Sequence, residues 1–294
     1  MQDYMIRATA GNDSVRIFVA TTKNLVDKAR ELHQTTPVAT AALGRLLTAA
    51  AMTGATLKND SDMITLTIKS DGPIGGIVAT TNNASKVKGY VHNPNVPHMK
   101  NAKGKLDVGR GVGAGMLAVV KDLGLKEPVS GQVALVSGEI AEDLTYYFAT
   151  SEQTPSSVSL GVLVDTNFSV KQAGGFIIQL MPDTPEEIIK HLENKLPTFP
   201  TITQLLDNGK TPEDILDLLL GGFGTVIYEK ITPEFYCNCS IEKTKKALSN
   251  VGVDELKVIL EEDKGANLHC HFCNKDYYFG EDDLKGLIAA GIKK

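Results

Sequence analysis

The chain has 294 residues, 42% hydrophobic and 22% charged, which suits roughly two domains with real cores and excludes an intrinsically disordered protein. Thirty Lys and Arg against 35 Asp and Glu leave a formal charge of −5, which argues against a protein built mainly to neutralise phosphates. No basic n-region with an apolar stretch opens the sequence, and no apolar run approaches the ~20 residues of a bilayer span, so a soluble, cytoplasmic protein is expected.

Residues 4–10 and 14–21 read as paired strands around the turn signal Gly11-Asn12-Asp13. Helical spacing follows over 23–34, where Leu25, Val26, Ala29 and Leu32 recur, and over the Ala-rich stretch 37–57, with Pro37 near its start. Strands are expected at 62–70, 76–81, 87–92, 116–121, 131–136, 157–165 and 172–180, with a helix at 139–150. Strands and helices come in blocks, so the fold class is α+β rather than a doubly wound parallel sheet.

Residues 181–230 change character. Five of the twelve prolines punctuate short helical stretches there, and Thr184-Pro185 and Thr211-Pro212, each followed by two acids, read as helix starts with a hydroxyl cap. Ile188, Ile189, Leu192 and Leu196 form one apolar stripe, and Ile215, Leu216, Leu218, Leu219 and Leu220 another. This segment is read either as an ordinary packed helical subdomain or as a metastable linker whose apolar faces become exposed when its neighbour gives way.

All four cysteines lie beyond residue 236: Cys237 and Cys239, then Cys270 and Cys273 after a gap of thirty residues. Two close pairs far apart in a chain of this type read as two knuckles completing a tetrahedral four-thiolate Zn²⁺ site. His269 and His271 flank Cys270 as alternative ligands, but four thiolates already close such a site. The metal would cross-link a module of residues 231–294, with helices at 240–248 and 254–262, a hairpin at 268–279 and a last helix at 281–290. Oxidation within each knuckle would replace that long cross-link by two small loops, which hold the knuckles together far less well. The module has nine Lys and no Arg against eleven acids, so it offers no basic face to nucleic acid.

Elsewhere the chemistry is thin. The glycine-rich run Gly109–Gly115 lacks the Gly-Lys-Ser/Thr ending of a P-loop and has Ala114 where a dinucleotide fingerprint prefers glycine, so turns and close backbone approach explain it better. Arg45, inside the Ala-rich helix, reads as a partnered or surface arginine. No catalytic constellation is found, and the protein is expected not to be an enzyme.

The segment Ser137–Asp143 (SGEIAED), followed by Ser151–Ser156 and Leu160–Val162, the run Gly109–Gly115 leading into Val119–Asp122, and Cys237-x-Cys239 with Cys270-x-x-Cys273 together resemble the 33-kDa heat-shock chaperones, the redox-regulated bacterial holdases. The resemblance covers the whole chain in order. It implies one Zn²⁺ per reduced chain on Cys237, Cys239, Cys270 and Cys273, and disulfides Cys237–Cys239 and Cys270–Cys273 after peroxide or hypochlorite, helped by heat. It further implies an ATP-independent chaperone, dimeric when active, that holds unfolding client proteins, with no nucleic-acid or membrane partner. The expected division is a core domain 1–180, a linker 181–230 and a redox-switch domain 231–294. The competing reading is a zinc-stapled enzyme or adaptor whose metal never leaves.

Overall fold

The computed structural model describes residues 2–291. They form two compact units, divided between Tyr236 and Cys237.

The first unit is built around one helix. Strands β1 (Tyr4–Ala10) and β2 (Val15–Thr21) lead into α1 (Lys23–His33) and α2 (Pro37–Gly54). In α2 seventeen of eighteen residues are buried, the pattern of a helix that is apolar all round and enclosed on every side. Its one charged residue, Arg45, bonds the Glu139 carboxylate and backbone carbonyl, so the partnered reading is the observed one. Two sheets enclose this helix. The five-stranded sheet runs β10-β1-β2-β9-β8, with β8 (Ser156–Val164), β9 (Val170–Leu180) and β10 (Val226–Ile231). The six-stranded sheet runs β11-β5-β4-β3-β6-β7, from β3 (Met63–Ser70), β4 (Gly76–Asn82), β5 (Lys86–Val91), β6 (Gly115–Asp122), β7 (Val129–Ala134) and β11 (Glu234–Phe235). Every pairing is antiparallel except β11 with β5. The α+β class is the observed one.

The glycine run resolves into a one-turn helix, α3 (Val108–Val112), and a tight approach to the loop at Asp71 and Gly72. A Cβ on Gly113 (φ +79°) would stand 2.6 Å from the Gly72 nitrogen, so packing accounts for that glycine. The SGEIAED segment is organised by its last residue. Asp143, fully buried near the start of α4 (Ala141–Thr150), accepts backbone N–H bonds from Val136, Ser137, Gly138 and Ile140. Those four bonds hold Ile140 at φ +67°, an uncommon conformation for a β-branched residue.

Residues 181–236 belong to the first unit. Helices α5 (Glu186–Lys195), α6 (Ile202–Asp207) and α7 (Pro212–Leu220) lie on the outer face of the five-stranded sheet. There Ile188, Leu192, Leu205, Ile215 and Leu219 pack against Ile6, Val15, Ile17, Val19 and Ile178. Leu218 departs from its expected stripe and is exposed. Thr211 caps α7 as expected, accepting from the Asp214 N–H. Thr184 does not cap α5; its hydroxyl bonds the Ser14 and Met181 carbonyls instead. The expected boundary at 230/231 falls at 236/237 because β10 pairs with β1 and β11 with β5.

The second unit contains α8 (Ile241–Ser249), α9 (Val253–Glu262), the hairpin β12 (Gly265–Cys270) with β13 (Lys275–Gly280), and α10 (Glu281–Gly291). Among the described residues its apolar core has four buried side chains, Leu248, Leu256, Phe279 and Leu284. Among the described residues no helix is long and apolar enough to cross a membrane.

Candidate metal centre

The hairpin places one pair of thiols. Cys270 ends β12, and the Cys273 and Asn274 N–H groups both bond back to its carbonyl, closing a turn that carries Cys273 beside it. The other pair comes from the extended stretch just before α8, whose N-cap, Ser240, accepts from the Lys243 N–H and fixes where the helix begins. The four sulfurs converge: Cys237 Sγ lies 3.8 Å from Cys270 Sγ, Cys239 Sγ 3.2 Å from Cys273 Sγ, and all four lie within 4.8 Å of one another. A tetrahedral site with bonds of ~2.3 Å has edges of about 3.8 Å, so this donor set could hold a metal ion. Cys273 is buried, and the other three are partly exposed.

Burial pushes Cys239 up, but hydrogen bonds from the Tyr277 hydroxyl and the neighbouring thiols outweigh it and bring it to about 7. Burial, reinforced by hydrogen bonding among the thiols, pushes Cys273 and Cys237 up. Of these three, Cys239 therefore gives up its proton most readily, while burial and the neighbouring thiols oppose ionisation of Cys237 and Cys273. A bound cation removes that penalty by sharing all four charges. His269 stands outside the cluster, bonded through Nδ1 to Asp276 Oδ1 at 2.8 Å and edge-on to the His271 ring. Tyr277 is the participant the sequence did not reveal. It lies opposite Leu268 in the hairpin, and its hydroxyl donates to Cys239 Sγ at 3.0 Å.

The structure thus defines a two-unit α+β protein in which a module with a very small core is gathered around four oxidisable thiols. A family model described as Hsp33 protein matches residues 3–280. Among similar proteins, the 33 kDa chaperonin of Agathobacter rectalis is 53% identical over 98% of this chain and 100% of its own. That of Clostridioides difficile is 54% identical over 98% and 99%. The crystal structure of the 33 kDa chaperonin of Thermotoga maritima covers 100% of both chains with a TM-score of 0.93 at 37% identity. The chain belongs to the Hsp33 family. It is a redox-regulated chaperone, and the zinc-stapled enzyme or adaptor is not favoured.

Proposed function

We propose that the reduced protein holds one Zn²⁺ through Cys237, Cys239, Cys270 and Cys273 and is a poor chaperone, and that oxidation converts it into an ATP-independent holdase. Bound zinc would keep the four sulfurs as thiolates and cross-link the two knuckles. Oxidation joins Cys237 to Cys239 and Cys270 to Cys273. Each disulfide forms as two thiolates give up two electrons, and one peroxide accepts them and, with two protons from the solvent, leaves as two waters. The donors are then gone and the metal leaves. What replaces it are two small loops, which restrain the module far less than a cross-link between residues more than thirty apart.

The observation that carries this reading is the disproportion between the four-thiol cluster and a core of four buried side chains. Zinc contributes ~10–16 kcal/mol in small zinc-folded peptides, against a total stability of ~5–15 kcal/mol for whole domains. The module 237–294 unfolds first, and the segment 181–230 then loosens. Lifting α5, α6 and α7 uncovers both their own apolar stripes and the Ile6, Val15, Ile17, Val19 and Ile178 face beneath them. That surface is broad and non-directional, which suits clients of no particular sequence. The active species is a cytoplasmic homodimer without enzymatic activity and without nucleic-acid or membrane partners.

The test follows three quantities together in reduced protein treated with peroxide at raised temperature: zinc release to a chromogenic chelator, hydrogen exchange over 181–294, and suppression of aggregation of a denatured client. All three should rise together, and adding a reductant with zinc should reverse them. Zinc retention, or release without anti-aggregation activity, overturns the proposal.

A further inference from the structure

Between the two sheets of the first unit lies a cavity of about 110 Å³, partly open at one end. Its floor is apolar, formed by Phe18, Met52, Leu66, Val119, Leu144 and Ile177. Protein interiors are packed nearly as densely as organic crystals, with few voids larger than a water. An engineered void of ~150 Å³ with a comparable lining stays dry and binds benzene. The space here is therefore of the size that takes a single ring or a short branched chain.

The rest of the lining is different in kind, with the polar groups of Arg16, Lys121, Glu152, Gln179 and Tyr147. Lys121 and Glu152 are paired with each other. Arg16 projects from β2 onto the same side of the sheet as Phe18, and Nε and Nη2 both donate to Gln179 Oε1, at 3.1 and 2.7 Å. Gln179 is itself almost fully buried. Among the described residues no carboxylate lies within ion-pair distance of Arg16, and Glu152 acts on it only from farther off. Among the described residues the other guanidinium donors have no hydrogen-bond partner. This polar side of the lining therefore carries two cations and one carboxylate, with the unbalanced charge on a fork-shaped donor held in place by a neutral amide. Desolvating a cation without a counter-charge is unfavourable, and a guanidinium is the side chain best shaped to receive a carboxylate in two parallel bonds.

We propose that this cavity is a binding site for a small hydrophobic monocarboxylate, an aromatic or branched aliphatic acid whose body fills the space between the sheets and whose carboxylate meets Arg16. The site is formed wholly by the first unit, so it does not depend on the state of the thiols. Binding here joins β2, β9, β3, β6 and α4 through one ligand and stabilises the packing of the two sheets on α2.

The test uses the reduced, full-length protein with benzoate, 3-methylbutanoate and the neutral analogue benzamide, followed by calorimetry and methyl NMR. Benzoate and 3-methylbutanoate should bind saturably, with shifts confined to the methyls of Leu66, Val119, Leu144 and Ile177. Benzamide should bind at least about tenfold more weakly, the usual effect of losing one charge-assisted hydrogen bond. Arg16→Gln should weaken benzoate to the benzamide level without affecting benzamide. Val119→Phe, which fills the floor, should abolish all three. The proposal is overturned if no saturable shift is seen up to the solubility of the acids. It is equally overturned if wild-type protein binds benzoate and benzamide alike, a comparison that needs no variant to fold.

Discussion

Replacing Ile215 by alanine tests whether the helices laid over the five-stranded sheet are what keeps the reduced protein quiet. Ile215 is fully buried on α7, within the cluster that includes Val15, Ile17 and Val19. Helix α7 has nine residues, too few to be stable alone, so its order derives from the five side chains it buries. Truncating a buried isoleucine to alanine costs ~2–5 kcal/mol. Confined to the local opening of α7, that raises the open population by about thirtyfold to several thousandfold. Hydrogen exchange should therefore quicken over residues 212–221 while the amides of α2 keep their protection. The reduced, zinc-loaded variant should also suppress client aggregation with no oxidant present. Fast exchange over α7 without any anti-aggregation activity would show that the face beneath it is not where clients bind. Unchanged exchange would show that packing of this residue does not hold the helix down.

Other consequences are as direct. Cys273→Ser replaces a buried sulfur by a poor zinc ligand and should lose tight zinc and protease resistance in 237–294, read by chelator competition and limited proteolysis. Peptide mapping of oxidised protein should find 237–239 and 270–273 linkages; the crossed pairs 237–270 and 239–273, whose sulfurs lie 3.8 and 3.2 Å apart in the thiol form, would keep the module stapled and count against the switch. Asp143→Asn turns an acceptor of four backbone N–H bonds partly into a donor and should cost ~2–4 kcal/mol, a fall in Tm of several degrees. Burial raises the Glu213 carboxyl, but hydrogen bonds, chiefly from the Tyr4 hydroxyl, and the nearby Lys230 outweigh it and leave it below its ordinary value. Its contribution to holding α7 is then fully present above pH ~4.3 and is lost as pH falls through the lowered value. Glu213→Gln should remove that part of the acid sensitivity of α7, measured by exchange across the pH range.

Cysteine spacing gave the four-thiol cluster directly, because two short-spaced pairs at that separation have few other uses. Helix starts were legible where the cap does local work, as at Thr211, and misread at Thr184, whose hydroxyl serves a strand end 170 residues earlier in the chain. The strand at Val226–Ile231 escaped notice because nearly all of it is exposed and no apolar alternation marks it. Strand β11, which follows it, is too short to leave a pattern, and the pairings of both strands join residues far apart in sequence, which decided the boundary at 236/237. Tyr277 beside Cys239 was invisible for a related reason: a tertiary contact between residues 38 apart, not a spacing, brings them together. The role of Asp143 was hidden within a recognisable segment, since nothing in SGEIAED announces that the final carboxylate gathers the N–H groups before it.

The two strands between α7 and Cys237 are unequal. Strand β11 is tied to β5 over two residues, whereas β10 lies along β1 through a register of five pairs with one irregularity. On the proposed mechanism, disorder spreading backwards from the cysteines would have to peel away the short tie and then the long one before it reached the helices. Such a chain would carry a fuse in two lengths, and a brief oxidative pulse that burned only the first would let the protein rearm before its adhesive side is shown.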